Sequence, residues 1–259
     1  MPDRDASKKS SGGDRCVQSS PLLIGCCGWA GAQARYYTSF PAIEIQSTFY
    51  APPAAKVTQR WRAAAPTDFV FCMKAWQLIT HSASSPTYRR LRRPIDPEQR
   101  GRVGGFLDTD EVWKAWEVTR EIAQTLRAAV VVFQCPASFR ATDENIRNLR
   151  GFFQKVGRQP FSMAWEPRGP WPPDVIGGLC ADLNLIHCVD PFVNRPVRGP
   201  VYWRLHGKLS YSYRYSDADL DSLRRMLSEH KEDDGAYIMF NNVSMGDDAR
   251  RFAQLLTEK

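Results

Sequence analysis

From Leu22 onward, apolar residues come in short, nearly unbroken runs, and the stretches between the runs carry helix-like spacing. The runs are LLIGCC (22–27), AIEIQS (42–47), FVFCMK (69–74), AVVVFQ (129–134), FSMAWE (161–166), LIHCVD (185–190), VYWRLH (201–206) and AYIMFN (236–241). Helices are predicted at AAKVTQRWRAAA, TDEVWKAWEVTREIAQTL, TDENIRNLRGFFQKV, PPDVIGGLCADL, SDADLDSLRRMLSEH and GDDARRFAQLLTE. Several of these begin with Asp, Ser or Thr, whose side chains satisfy free amides at a helix start. Strand and helix in alternation predict a parallel α/β fold.

Eight strand-like runs in 259 residues match the roughly 250 residues of one α/β barrel. A closed, TIM-like (β/α)8 barrel is therefore expected rather than an open doubly wound sheet, because closure leaves no edge strand to protect. The first crossover is short and the sixth, PFVNRPVRGP, shows no helical pattern, so irregularity is expected at those two places. Residues 1–20, rich in Ser, Gly, Lys and Asp, read as a flexible polar tail ahead of a single domain over 21–259.

Each apolar run closes on polar or charged residues: Cys26-Cys27-Gly28-Trp29, Glu44-Ile45-Gln46, Lys74, Gln134, Glu166-Pro167-Arg168, Asp190, Arg204-Leu205-His206 and Asn241-Asn242. Side chains alternate faces along a strand, so Glu44, Gln46 and Thr48 are expected on the inner face, as are Ser162, Ala164 and Glu166, and Tyr202, Arg204 and His206. In a barrel of this kind the carboxyl ends of the strands form the active face. Charges buried there cost several kcal/mol unless they are paired or wet, so the tips read either as an internal ion-pair network or as a working pocket.

Composition narrows the class. A hydrophobic share of 43% and a charged share of 24% are ordinary globular usage. No apolar stretch approaches the roughly 18 to 20 residues that span a bilayer, and the amino-terminal sequence lacks the apolar run of a signal peptide, so a cytoplasmic protein without a membrane partner is expected. The seven cysteines form no CxxC pair and fall mostly inside apolar runs, which predicts reduced thiols. A net charge of +7 favours anionic partners. Its densest source is the run Arg89, Arg90, Arg92, Arg93, Arg100 and Arg102 in the longest connection, about 77–108, which follows the third strand and so lies beside the active face.

Both signs of charge at the tips suit a substrate that must be held and must exchange protons. Lys74, Arg168 and Arg204 are candidate anion holders, Arg through paired donors and Lys as a point charge. Glu166 is the first candidate acid or base, His206 the second, and Glu44 completes the catalytic set. Gln46, Tyr50, Trp76, His81, Gln134, Asp190, Asn241, Asn242 and Trp29 are candidate substrate contacts, the aromatic ones by stacking. Lys74 is also a candidate for Schiff-base chemistry, and Cys26 or Cys27 for a nucleophile, although a buried cysteine is more often a small hydrophobe. No metal is assigned, because only His81 and His206 of the four histidines lie near the tips. Nothing resembles a dinucleotide fingerprint or a P-loop, and no cofactor is identified.

Several segments together carry a resemblance: GCCGW (25–29), EIQSTFY (44–50), FCMKAWQLITH (71–81), FQCPASF (133–139), AWEPRG (164–169), WRLHG (203–207) and FNN (240–242). They resemble the YecE-like family, also known as domain of unknown function 72, over nearly the whole chain after about Pro21. The double cysteine and KAWQLITH are similar to its archaeal-type branch. The resemblance implies a TIM-barrel-like fold and no established activity. Its motif residues fall here on Glu44, Ser47, Thr48, Phe49, Tyr50, Lys74, Thr80, His81, Gln134, Glu166, Arg204, His206, Asn241 and Asn242, which largely coincide with the strand tips.

Two function classes follow. One is a hydrolase or lyase acting on an anionic, phosphate-bearing substrate at the strand ends. The other is a nucleic-acid-binding protein gripping backbone with Arg89, Arg90, Arg92 and Arg93 and stacking bases on Trp29, Tyr50 or Trp76. A noncatalytic barrel is the third alternative.

Overall fold

A computed structural model describes residues 22–197, 199–230 and 235–258. The predicted tail over 1–20 lies outside the described residues. Eight parallel strands close into a barrel in sequence order: β1 (Leu22–Cys26), β2 (Ala42–Ile45), β3 (Val70–Lys74), β4 (Val130–Gln134), β5 (Ser162–Glu166), β6 (Leu185–Val189), β7 (Val201–Leu205) and β8 (Ala236–Phe240). Five in-register pairs join β1 to β8, from Leu22 with Ala236 to Cys26 with Phe240, so no sheet edge is left open.

The two faces of each strand do different work. Outward residues such as Ile43, Phe71, Val131, Phe133, Trp165, Trp203 and Phe240 form one large core with the surrounding helices. Inward residues Leu23, Cys27, Ala42, Cys72, Val130, Val132, Ala164, Ile186, Cys188, Tyr202 and Met239 fill the barrel as a second core. The interior is thus packed like that of other barrels of this kind, and polar side chains have room only at its carboxyl end.

The outer layer holds α1 (Gln33–Ser39), α3 (Ala55–Ala64), α5 (Asp110–Leu126), α6 (Asp143–Val156), α7 (Pro173–Leu183), α8 (Asp217–Glu229) and α9 (Met245–Thr257), with single turns α2 (Ser47–Tyr50) and α4 (Gln77–Thr80) set on the strand ends. The side chains of Thr109, Thr142 and Ser216 cap α5, α6 and α8 by accepting from the backbone N–H three residues on. The first crossover is indeed abbreviated, with a seven-residue helix. The sixth has no helix among its described residues. Its chain turns on Asp190, whose carbonyl accepts from Val193 and Asn194, and Val197 N–H reaches the Nδ1 of the outward-facing His187 at 3.2 Å. The missing helix leaves a groove of about 730 Å³ lined by Phe192, Arg195, Trp203, Met226, Glu229 and His230.

One local expectation is corrected. β2 stops at Ile45, not Ser47, so the face-counting that placed Thr48 with Glu44 and Gln46 fails. Residues 47–50 form a helical turn in which Thr48 Oγ1 donates to Ile45 O (3.0 Å) and Lys74 O (2.7 Å). Thr48 therefore ties the ends of β2 and β3 together instead of lining the interior.

Candidate site at the strand ends

Inward parity puts Glu44, Lys74, Gln134, Glu166, Asp190, Arg204, His206 and Asn241 on the carboxyl-end face, one from each of β2 to β5 and β7 and one just beyond each of β6, β7 and β8. Arg204 is at the centre and fully buried. Its Nη1 donates to Glu166 Oε2 at 2.5 Å, and its Nη2 lies 3.0 Å from Glu44 Oε1. Glu44 also accepts from Tyr202 OH (2.9 Å) and from Gln46 Nε2. The desolvation of three charges is offset only because nearly every lone pair and N–H has a partner. Among the described residues Arg204 Nε has no hydrogen-bond acceptor, and the Cys27 thiol sits beside the guanidinium.

Glu166 is shared between two arginines, since Arg168 Nε donates to its other oxygen at 3.0 Å. Burial by itself would raise its carboxyl, yet Arg204 and then Arg168 hold it down at about 2. At neutral pH this carboxylate is a fixed negative charge, poorly suited to give up or accept a proton while both arginines stay in place.

Arg168 Nη2 also lies 2.5 Å from His206 Nε2. A guanidinium can only donate, so Nε2 accepts and the ring proton sits on Nδ1, which faces Asp190 Oδ2 at 3.4 Å. Asp190 in turn accepts from the backbone N–H groups of Phe192 (3.1 Å) and His206 (2.9 Å), so it fixes the loop ends and the imidazole orientation. The lone pair that would make His206 a base is thus covered by an exposed arginine.

Lys74 differs from the other charges. It is 2% exposed, its Nζ donates to the neutral Gln134 Oε1 at 2.8 Å, and it lies 3.7 Å above the Phe49 ring. Among the described residues no carboxylate lies within ion-pair distance of it. Burial, then the charge of Arg204, lowers its ammonium to about 7, against the opposing pull of Glu166 and Glu44. His81 packs edge-on against the same Phe49 ring, with Nδ1 2.8 Å from Thr80 Oγ1; burial and then Lys74 depress it to about 3, so its ring is neutral.

The remaining candidates separate into those at the mouth and those elsewhere. Gln46 and Gln134 are half-buried there, and Tyr50 lies beneath Arg90, whose guanidinium carbon is 4.5 Å from the ring centre. Arg89, Arg92 and Arg93 project into solvent. Trp29 packs against Tyr36, Tyr37 and Trp61 of α1 and α3, and Trp76 packs into the outer core, so neither indole lies in the inner cluster. Asn242 donates to Tyr213 O and Asp248 Oδ2, both 2.7 Å, and braces a loop. Cys26 faces the outer core, where burial pushes its thiol up to about 12; Cys27 faces inward, where burial and then Glu44 raise it well above the ordinary value. Both are held as thiols.

Three residues of the mouth and its rim escaped sequence reasoning. Tyr211, in the loop after β7, sets its ring 6.2 Å from that of His206, and with Leu209 and Val243 it forms an exposed apolar rim. Nothing in a loop reading SYSY announces such a position. A groove of about 760 Å³ lies at the opposite, amino-end face around Phe153, Arg158, Phe161 and Leu183. It contains none of the charge cluster. Among the described residues no group of three or more His, Cys, Asp or Glu side chains is gathered as for a metal. No helix among them is long and apolar enough to cross a membrane.

The loop over 77–108 is built rather than slack. Gly104 N–H donates to Leu78 O (2.7 Å) and Phe106 N–H to Ile79 O (2.9 Å), strapping the loop to α4. Gly104 has φ +84, and a Cβ there would stand 2.3 Å from the His81 carbonyl carbon and oxygen, so only glycine fits. The arginines therefore project from a platform fixed to His81.

A profile for the family described as "Protein of unknown function DUF72" matches residues 23–259. The UPF0759 protein YunF of Bacillus subtilis (strain 168) is 24% identical over 280 residues, covering 91% of this chain and 93% of its own. A DUF72 family protein from Enterococcus faecalis V583 superposes with a TM-score of 0.67 at 17% identity, over 93% of this chain and 99% of that one. Another, from Thermotoga maritima MSB8, gives 0.63 at 17%, over 92% and 100%.

Proposed function

This chain belongs to the DUF72 family of proteins of unknown function, and for it we propose an enzyme, a hydrolase or lyase, that acts on an anionic, phosphate-bearing small molecule at the carboxyl ends of the strands. The observation that carries the reading is Lys74: a buried cation at the mouth whose hydrogen-bond partner is a neutral amide. An anion placed over it supplies the missing charge and restores the ordinary ammonium, so binding and protonation reinforce one another.

The neighbouring groups support the same reading. Arg168 is the cation with freedom to move, and a phosphate or carboxylate competes for its donors with Glu166 and His206. Once Arg168 turns to the ligand, His206 Nε2 is released to take a proton, with Asp190 behind Nδ1 to stabilise the imidazolium. Arg204, locked between Glu44 and Glu166, orients the carboxylates and does not contact the anion.

Calorimetric titration with inorganic phosphate at about 0.15 M salt tests this. We expect one site, weakened at least tenfold by Lys74→Met and left intact by Arg89→Ser/Arg92→Ser/Arg93→Ser. Retention of binding in Lys74→Met with loss in the triple variant would overturn the reading and favour a backbone-gripping loop.

A further inference from the structure

We infer that Lys74 is a nucleophilic amine that forms an imine with an anionic aldehyde or ketone, which makes the reaction a lyase step on a carbonyl substrate. This rests on the anionic-substrate reading and narrows it. The argument begins with position. Lys74 is the last residue of β3, and its backbone is fixed on both sides: Thr48 Oγ1 donates to its carbonyl, and Ala75 N–H donates to Val132 O of β4. Its side chain therefore rises from a rigid base toward the mouth, as a nucleophile must to meet a bound carbon in one geometry.

The surroundings favour an amine that spends part of its time neutral. The charged groups that face Lys74 are Glu44 from β2, Glu166 and Arg168 from β5 and its loop, Arg204 from β7, and the neutral His81 from its own loop. Two arginines offset the two carboxylates, so the site's own charges leave no net attraction for the ammonium, and burial removes the water that would stabilise it. The Phe49 face, 3.7 Å below, pulls toward the ammonium, but this is worth only about 0.5–2 kcal/mol. Gln134 Oε1 accepts from the amine whether it carries two protons or three, so it positions Nζ without selecting the charged form.

The step balances without a cofactor. The neutral amine of Lys74 adds to the carbonyl carbon; the carbonyl oxygen leaves as water, taking both amine protons, and C=N replaces C=O. Once protonated, the imine takes up the electron pair of its Cα–H or Cα–Cβ bond as an enamine, while the Cα proton, or the β-hydroxyl proton of a fragment that leaves as an aldehyde, passes to His206 Nε2; return of that proton to Cα and addition of water then release the carbonyl product and the amine. A free anion can sit over Lys74, but in a substrate that carries both groups Arg168, whose Nη1 makes no hydrogen bond among the described residues, draws the anionic end away from Nζ, so that the carbonyl carbon meets the neutral amine.

The test is reductive trapping: protein is incubated at pH 7 with glyoxylate, pyruvate or glyceraldehyde 3-phosphate and cyanoborohydride, and peptides are mapped by mass spectrometry. A surface lysine near 10.4 is neutral in roughly one molecule in 2,500 at pH 7. At least one of the three compounds should therefore modify Lys74 at no less than ten times the level of any other lysine, with inorganic phosphate suppressing the adduct. The amino-terminal amine falls on its own peptide. Lys74→Arg, which keeps the cation, should bind phosphate and yield no selective adduct. If all three compounds label only surface lysines while phosphate still binds, Lys74 holds the anion without bonding to carbon and the imine is refuted. If phosphate binding is absent as well, the anionic-substrate reading falls with it.

Discussion

Removing Arg204 should be among the most damaging single changes in this barrel, and the damage should depend on pH in a set direction. In Arg204→Met the stem's volume is kept, but Glu44 and Glu166, both nearly inaccessible, lose their shared cation. Breaking a buried ion pair from one side typically costs about 3–5 kcal/mol. The depression of Glu166 from 4.5 to about 2 corresponds to about 3 kcal/mol, with Arg204 the first of the charges that lower it. For a chain of this size, a loss of that order lowers Tm by roughly 6–20 °C.

The wild-type carboxylate contributes stability that is present above its unfolded value, near 4.3, and is lost as pH falls toward 2. In the variant, burial without Arg204 raises the same carboxyl, so it resists ionisation and is relieved by protonation. The gap between the proteins should therefore be widest at pH 7 and narrow by at least 1 kcal/mol toward pH 4.5. Urea denaturation of both proteins across that range reads the gap directly. A gap below 1 kcal/mol at pH 7, or one that widens on acidification, would refute the account of the network.

Two further outcomes follow. Lys74→Met should stabilise the protein at pH 6, and the advantage should shrink from pH 7 to 9 by up to about 2–3 kcal/mol, because there the unfolded lysine holds a proton that the folded one has released; urea midpoints at constant m-value show whether it does. Gln134 Oε1 is not orphaned in that variant, since Arg204 Nη1 also donates to it at 3.2 Å. Gly104→Ala should release the arginine platform, because its Cβ cannot coexist with the His81 carbonyl; limited trypsin digestion should cut at Arg89 to Arg93 at least tenfold faster, with cleavage elsewhere unchanged.

The barrel was legible because its signal is local and repeated: each strand is an apolar run, and α5, α6 and α8 open on a side-chain cap. The inner cluster was legible for a related reason, since parity along β5 and β7 assigns Glu166, Arg204 and His206 to one face without knowledge of what lies opposite. What parity cannot supply is pairing across the barrel. That Arg204 takes both Glu44 and Glu166, leaving Lys74 with an amide, depends on how strands far apart in sequence are staggered. Parity also fails where a strand ends early, as at Ile45, because Ser47–Tyr50 has the same apolar character as a strand. Trp29 and Trp76 follow strand ends in sequence but turn outward, toward helices whose docking no local pattern encodes.

An anion over Lys74 can be reported by the ammonium itself. With lysine labelled biosynthetically, the Lys74 Cε resonance, assigned by its loss in Lys74→Arg, should titrate near pH 7 in the free protein. Saturating inorganic phosphate should move that midpoint up by at least one pH unit, while surface lysines stay near 10.4. A Lys74 midpoint that sits near 10 in the free protein, or that phosphate leaves unmoved, would contradict the claim that this amine is the site's open charge.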